Sequence, residues 1–324
     1  MRILVTGGAG FIGSHLCEKL LADGHKVVAI DNFITGSSRN LASFKDNPNF
    51  TLVEHDIVNP LPKEIIGTTN MAPGYGDQDD LKFDQVFHLA CPASPVDYRE
   101  IPLQTLLTNA VGTKNVIDVA VRHCASMLLA SSSEIYGDPE EHPQKETYWG
   151  HVNPIGERSC YSEGKRFAES LAVNYYEHYG FPLKIVRIFN TYGPRMRKHD
   201  GRVIPSFIQS AMMDETLRMH GDGMQTRSFC YIDDMIKGLI LAMNHPEYLG
   251  PVNLGNEEEI TIKTLGEKII AFVKSSSLLV GTDPIKDDPK KRRPDLTLAK
   301  KKLGYEPKIG LEEGLQKTIA YFKG

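Results

Sequence analysis

Tyr161 and Lys165 stand four positions apart in "SCYSEGKRFAESLAVNYYEHYG", residues 159–180, a stretch whose pattern predicts a helix opening at the tyrosine. Four residues make about one helical turn, so the phenol and the ammonium share a face. A tyrosine hydroxyl with an ordinary pKa of about 10 is a poor proton acceptor at neutral pH, but a neighbouring cation favours the phenolate and brings it within catalytic range. The same spacing arises by chance on many helices, so the pair needs partners. "LLASSSEIYG" (128–137) offers Ser132, Ser133 and Glu134 directly after an apolar run. Strand C-termini in open α/β sheets face the ligand crevice, so these groups would project toward Tyr161; the plainer alternative is a polar strand exit.

A second set of residues suits a dinucleotide. "ILVTGGAGFIGSHLCEKLL" (3–21) places Gly7, Gly10 and Gly13 between a strand-like run and a helical one. Small residues there let the backbone turn tightly and approach a pyrophosphate, whose charge meets the helix N-terminus. Asp31 closes the next strand-like run, "KVVAID". Its carboxylate would accept hydrogen bonds from an adenosine ribose and repel a 2′-phosphate, which favours NAD over NADP. Asp56 ends the third such run, and two readings stay open for it: a contact to the adenine, or an exposed polar strand terminus.

The elements that must position these groups are legible in the first half. Short β-rich runs ("RILVT", "KVVAID", "FTLVEHD", "QVFHLA", "SMLLASSS", "LKIVRIFN") alternate with helical patterns at 11–22, 102–122 and from Tyr161 onward. That alternation predicts a parallel sheet of βαβ units, and the nearly continuous apolar runs predict strands buried on both faces. Beyond about residue 190 the order becomes irregular. The expected division is residues 1–190 for the nucleotide, with some later segments returning to that domain, and 191–324 for most of a smaller lobe. The polar, aperiodic "GTTNMAPGYGDQDD" (67–80) reads as a surface insertion.

Composition narrows the function. The 324 residues are 41% hydrophobic, enough for a large core. A formal net charge of −4 leaves no chain-wide positive field, so nucleic acid is disfavoured while local phosphate sites stay open. No window approaches about 18 consecutive apolar residues, and "RILVT" follows Met1 directly, so no membrane segment or signal is read and a soluble, cytoplasmic protein is expected. Five scattered cysteines without a C-x-x-C pair read as reduced, buried thiols. The histidines show no metal-ligand spacing, so no metal is expected.

In chain order, "TGGAGFIG", "HLA", "SSSEIYG", "YSEGK", "RIFNTYGPR" and "RSFCYIDD" resemble the extended short-chain dehydrogenase/reductase family that acts on nucleotide sugars, over essentially the whole length. Within it, "ACPASP" (90–95), "HVNPIGERSCYSEGKR" (151–166) and "RIFNTYGPRM" are similar to the UDP-glucuronate decarboxylases. The resemblance implies a Rossmann-type doubly wound sheet with a smaller C-terminal α/β lobe that binds the UDP-sugar, and a homodimer formed through the helices at 102–122 and 161–179. It implies NAD held by Gly7, Gly10, Phe11, Ile12 and Gly13, by Asp31, Asn32, Asp56 and Ile57, and by Leu89, Ala90 and Asn109, with Tyr161 and Lys165. Ser132 would bond the sugar 4-hydroxyl, Tyr161 would be the base, and Lys165 would bridge the nicotinamide ribose and lower the tyrosine pKa. Ser133 and Glu134 complete the catalytic set, Glu134 acting in the decarboxylation step. Substrate contacts would come from Pro92, Ser94, Asn190, Arg195, Arg227, Tyr231 and Arg292, with Arg227 and Arg292 on the diphosphate. Arg292 lies in "KKRRPD", which by itself is a basic run of the kind usually solvated; its spacing to Asp295 matches the family's R-x-x-D. Ser132 departs from the threonine common in this branch and Cys91 stands where serine is also seen.

The implied reaction is conversion of UDP-glucuronate to UDP-xylose. Oxidising C4 makes a β-keto acid whose ketone accepts the electrons left by departing CO2, and the bound NADH then restores C4. Glu134 would either orient a water that protonates C5 or press a like charge on the substrate carboxylate. Competing activities are a nucleotide-sugar 4-epimerase, which would not need Glu134, and an oxidative decarboxylase releasing the UDP-4-keto pentose. A 4,6-dehydratase would need an acid where Ser133 stands, and a non-catalytic NAD-binding protein would not need the Ser132, Tyr161, Lys165 set.

Overall fold

A computed structural model of the chain describes residues 1–67, 82–283 and 289–324. The insertion expected at 67–80 lies, all but its first residue, outside the described residues. Seven strands form the main sheet: β1 (Arg2–Thr6), β2 (Lys26–Asp31), β3 (Phe50–Glu54), β4 (Gln85–His88), β5 (Ser126–Ser132), β6 (Leu183–Ile188) and β7 (Leu249–Leu254). Their spatial order is β7-β6-β5-β4-β1-β2-β3, and every pairing is parallel. The six runs read from sequence are β1 to β6. The seventh strand comes from the chain's second half and extends the sheet beside β6.

Alternate residues of these strands enter two separate cores, as the pleat requires. Ile3, Val5, Val27, Ala29, Phe87 and Leu128 pack on one face with Leu16 and Leu20 of α1 (Phe11–Ala22) and with Met235 and Leu239 of the helix Ile232–Met243. Leu4, Val28, Ile30, Val86, Met127 and Leu129 pack on the other with Val116, Ile117 and Ala120 of α2 (Thr113–Arg122) and with Ala168 and Ala172 of α3 (Ser159–Tyr179). Each core side chain removed from water stabilises the fold by about 1.5–3 kcal/mol. The order reverses between β1 and β4, and a crevice opens at the strand C-termini there, where ligands of such sheets bind.

Two helices differ in detail from expectation. The segment 102–122 is not one regular helix but Pro102–Leu107, a wide turn at Thr108–Gly112 with i→i+5 bonding, and α2. Thr105 and Thr108 donate their hydroxyls to the carbonyls of Ile101 (3.0 Å) and Gln104 (2.8 Å), which loosens the regular ladder. Gly112 lets Ile57 press in, since a Cβ would lie 2.8 Å from its Cδ1. Helix α3 begins two residues before Tyr161 and ends at Gly180, whose φ of +68° supplies the left-handed stop that glycine adopts without strain.

The C-terminal part adds the helices Val203–Met212, Ile262–Val273 and Leu311–Lys323 and small sheets. In one of these the strand Lys291–Arg292 pairs parallel with Thr226–Ser228, so Arg292 is the register partner of Arg227.

Candidate active site

A cleft of about 940 Å³ runs from the glycine-rich turn, across the C-terminal ends of β1, β4 and β5, to the strands bearing Arg227 and Arg292. At its first end the backbone is shaped for a pyrophosphate. Gly13 sits so close under the turn that a Cβ would be 2.0 Å from the Gly7 carbonyl oxygen, and one on Gly7 would be 2.9 Å from the Ala90 backbone. Helix α1 starts directly after Gly10 with no side-chain cap, so its first N–H groups are presented to an anion. Asp31 lines the same cavity and accepts from the N–H groups of Ala9 and Phe33, both at 2.9 Å. Burial pushes its pKa up, partly offset by those N–H groups and that of Gly10. The cradle and the carboxylate at the end of β2 together fit a dinucleotide lacking a 2′-phosphate. Phe11, Ile12, Asn32, Asp56, Ile57 and Leu89 line this end too, with Ala90. Both oxygens of Asp56 are engaged within the protein, by the Val58 N–H (2.9 Å) and the Gln104 amide (2.7 Å).

The groups expected to move protons meet at the middle. Ser132 ends β5, and its Oγ accepts from the Glu134 N–H at 3.2 Å, which turns the chain into a short 3₁₀ turn holding Ser133 and Glu134. Ser132 and Tyr161 both line this part of the cleft, and the Ser132 hydroxyl acts to pull the phenol pKa down. Lys165 is buried one turn along α3, donates to the Ala130 carbonyl at 2.8 Å, and holds its Nζ 5.9 Å from the Tyr161 ring centroid. One expectation is corrected here. Burial, and next the adjacent Cys91, raise the Tyr161 pKa above the ordinary phenol value rather than lowering it. The phenol is desolvated, while the Lys165 ammonium is committed to a backbone carbonyl.

Glu134 is the reverse case. Burial pulls its pKa up, but Arg292 and then Arg158 outweigh that and hold it down at about 2. Arg158 Nη2 lies 3.0 Å and Arg292 Nη1 2.8 Å from the same oxygen, Oε1. The two cations come from different places, Arg158 from the turn before α3 and Arg292 from the C-terminal strands.

The remaining expected contacts divide. Pro92, Ser94, Ser133, Asn190, Arg195, Arg227 and Arg292 all line the cleft. Ser94 spends its hydroxyl capping the helix Pro95–Glu100 and donating to Asp97 at 2.7 Å. Arg195, expected on the substrate, turns toward α1, pairing with Glu18 at 2.5 Å and lying 6.0 Å from the Phe44 ring centroid. Two residues fall outside the cleft lining. Asn109 is buried behind it, donating to Cys91 Sγ (3.1 Å) and the Thr105 carbonyl (2.9 Å). Tyr231 packs edge-on against Tyr192 under Lys317, its ring given to the C-terminal helix rather than to the cavity. The five cysteines are free, and Cys124 is exposed where burial was expected. Among the described residues no cluster suits a metal ion.

Comparison with known proteins settles the family. A family profile described as GDP-mannose 4,6 dehydratase matches residues 4–318. UDP-glucuronic acid decarboxylase 1 of Arabidopsis thaliana is 48% identical over 323 residues, 100% of this chain and 70% of that protein. The chain belongs to the UDP-glucuronic acid decarboxylase family, within the extended short-chain dehydrogenases/reductases. The Danio rerio UDP-glucuronic acid decarboxylase 1 is 49% identical over 321 residues, covering 99% of this chain and 72% of its own. Among solved structures, the UDP-glucose 4-epimerase of Thermotoga maritima with UDP-glucose superposes with a TM-score of 0.88 at 30% identity, covering 100% and 99% of the two chains. The UDP-glucuronic acid 4-epimerase of Bacillus cereus, in complex with UDP-glucuronic acid and NAD, gives 0.85 at 28% identity, covering 100% and 99%. As in this group generally, NAD is the cofactor.

Two residues of this decarboxylase-family cleft were not singled out from sequence. Arg158 stands three positions before Tyr161, one turn away, and that spacing is a signal that was available. Tyr98, stacked on Tyr161 with centroids 5.2 Å apart and planes at 10°, comes from a short helix in an irregular stretch where no periodicity marks it.

Proposed function

We propose that the protein converts UDP-glucuronate to UDP-xylose and CO2, with NAD ending each cycle as it began, and that residues 1–190 hold the cofactor while most of the sugar nucleotide lies against residues 191–324. One observation carries the reading: the Ser132 and Tyr161 hydroxyls share a cleft with Glu134, a carboxylate held ionised between two guanidiniums. When bound, NAD⁺ would supply an acceptor for a hydrogen and its electron pair and the means of returning them afterwards. Tyr161 takes the 4-hydroxyl proton as C4 becomes a ketone. The Ser132 and Tyr161 hydroxyls then donate to that oxygen as it gains charge, stabilising the enolate left when the C5 carboxylate departs as CO2. Lys165, fixed by the Ala130 carbonyl, sets the helical turn on which Tyr161 stands.

Of the two roles open for Glu134, orienting the water that protonates C5 is favoured. A carboxylate flanked by two guanidiniums exerts little net repulsion on a second carboxylate. Arg227 and Arg292, register partners on parallel strands, form a paired clamp for the diphosphate. Arg292 has Nη1 on Glu134 and no hydrogen-bond partner for Nη2 among the described residues, so one guanidinium can join the diphosphate to the catalytic carboxylate.

A homodimer and a cytoplasmic setting complete the proposal. Leu103, Leu106, Leu107 and Val111 on the 102–112 segment and Phe167 on α3 expose apolar side chains on helices that pack together, a patch suited to a second copy. The five free cysteines suit a reducing compartment.

The test is to incubate the protein with UDP-glucuronate and NAD⁺ and identify the products by NMR with CO2 capture. One UDP-xylose and one CO2 per substrate, without accumulating NADH, is the expected result. The resemblance to solved epimerases favours one rival, and a C4-inverted sugar retaining its carboxylate would establish it. NADH formed in step with a UDP-4-keto pentose would establish the oxidative enzyme.

A further inference from the structure

Behind the wall that carries Arg227 and Arg292 lies a second cavity, of about 660 Å³. The wall is thin because it is built of strands. Side chains alternate across a strand, so Arg227 and Arg292 line the cleft while their chain neighbours Thr226 and Lys291 line the second cavity. The same split occurs at the start of α3, where Tyr161 lines the cleft and Ser162 the cavity behind it. Four residues line both spaces: Glu134, Arg158, His220 and Gln225. The first two are the ion pair at 3.0 Å, and the other two are joined by the Gln225 amide donating to the His220 carbonyl at 2.7 Å. Glu134 is therefore reached from two sides, one of them away from the surface that the cofactor and the sugar nucleotide would cover.

The proposed reaction needs traffic on that second side. Loss of CO2 breaks the bond between C5 and the carboxylate and leaves the electron pair in the enolate; a water proton then forms the C5–H bond, and a proton from solvent makes good the hydroxide. In sum, a carboxylate and one proton become a C–H bond and CO2. Each cycle thus admits one proton and expels one CO2 while the 4-keto sugar is still bound, with a dinucleotide and a UDP-sugar together occupying the cleft. We infer that the second cavity is the passage by which water reaches Glu134 and CO2 departs, with the Glu134–Arg158 pair and Gln225 at its inner end. The inference rests on the proposed decarboxylation and gives that site its route to solvent. Thr226, Lys291 and His220 offer polar partners for water along it, and CO2, small and uncharged, pays little to pass a mixed lining.

The test narrows the passage. Met224 and Val152 line this cavity and not the cleft, and Met224 is 58% exposed, so tryptophan can be placed there with little demand on the fold. Met224→Trp and Val152→Trp are followed through a single turnover of UDP-glucuronate on the NAD-loaded protein. NADH absorbance is expected to appear at the unmodified rate, which also reports an intact fold and cofactor site, while CO2 release and UDP-xylose formation slow by about tenfold and the solvent deuterium isotope effect on UDP-xylose formation rises. Met224→Ala, which widens the cavity, should match the unmodified protein. Full-rate CO2 release in both tryptophan variants, or an equal slowing of NADH appearance and CO2 release, overturns the inference. If the unmodified protein releases no CO2 from UDP-glucuronate, the proposed function fails with it; if it does and both tryptophan variants are as fast, only the passage falls.

Discussion

Tyr161→Phe removes the proposed proton acceptor and keeps the ring and its stack on Tyr98. Turnover is expected to drop by about 10²–10⁴-fold, read as UDP-xylose formed, at an unchanged melting temperature. Glu134→Gln should behave differently, slowing CO2 release more than the appearance of NADH absorbance in a single turnover. The Arg158 contact adds a dependence on pH. Glu134 is depressed to about 2 by Arg292 and Arg158, so in the native protein it stays ionised throughout the ordinary working range. Its contribution to stability is present above the ordinary carboxylate value of 4.5 and is lost as pH falls through about 2. Arg158→Met removes one cation and raises that pKa, so the acidic limb of the rate profile should move toward neutral pH, and Arg158→Lys should move it less. An unmoved limb in Arg158→Met would show that the contact does not set the state of Glu134. Tyr161, Lys165, Ser132 and Glu134 were all legible from residue type and spacing. The Tyr161 pKa was not, because the sign of its shift depends on burial and on where Lys165 points, and neither is written in a local stretch.

The glycine-rich turn and the start of α1 act as one element. An added methyl at Gly13 would meet the Gly7 carbonyl at 2.0 Å, so Gly13→Ala must push helix and turn apart at about 1–3 kcal/mol, or about tenfold or more in NAD affinity. Gly310→Ala, with no atom within 4 Å of the new Cβ, serves as the control and should bind NAD normally in a calorimetric titration. Strand and helix order through β6 could be read from apolar runs because parallel strands are covered on both faces. What resisted reading was register and packing after residue 190. The strands Thr226–Ser228 and Lys291–Arg292 are three and two residues long, too short to carry a period, yet their pairing is what sets Arg227 beside Arg292. Tyr231 was assigned to the substrate on motif alone; its ring is claimed by Tyr192 and Lys317, a long-range packing choice. Arg195 likewise follows a chain bend with φ of +67° that turns it to Glu18.

The second half of the chain is tied to the main sheet through β7, which returns to pair in parallel with β6. The proposed dimer would use the exposed apolar side chains of the 102–112 segment and α3. Leu103 is 74% exposed, Leu107 44% and Phe167 51%. Charging Leu103 and Leu107 together as glutamate should therefore give a monomer by sedimentation, whereas an unchanged mass would place the interface elsewhere. The reaction itself is tested by UDP-glucuronate carrying deuterium at C4, quenched during a single turnover on the NAD-loaded protein. The label should appear in the reduced nicotinamide before CO2 is released and return to C4 of UDP-xylose. Release of CO2 while the label never leaves the sugar would contradict oxidation at C4 as the step that makes the carboxylate leave.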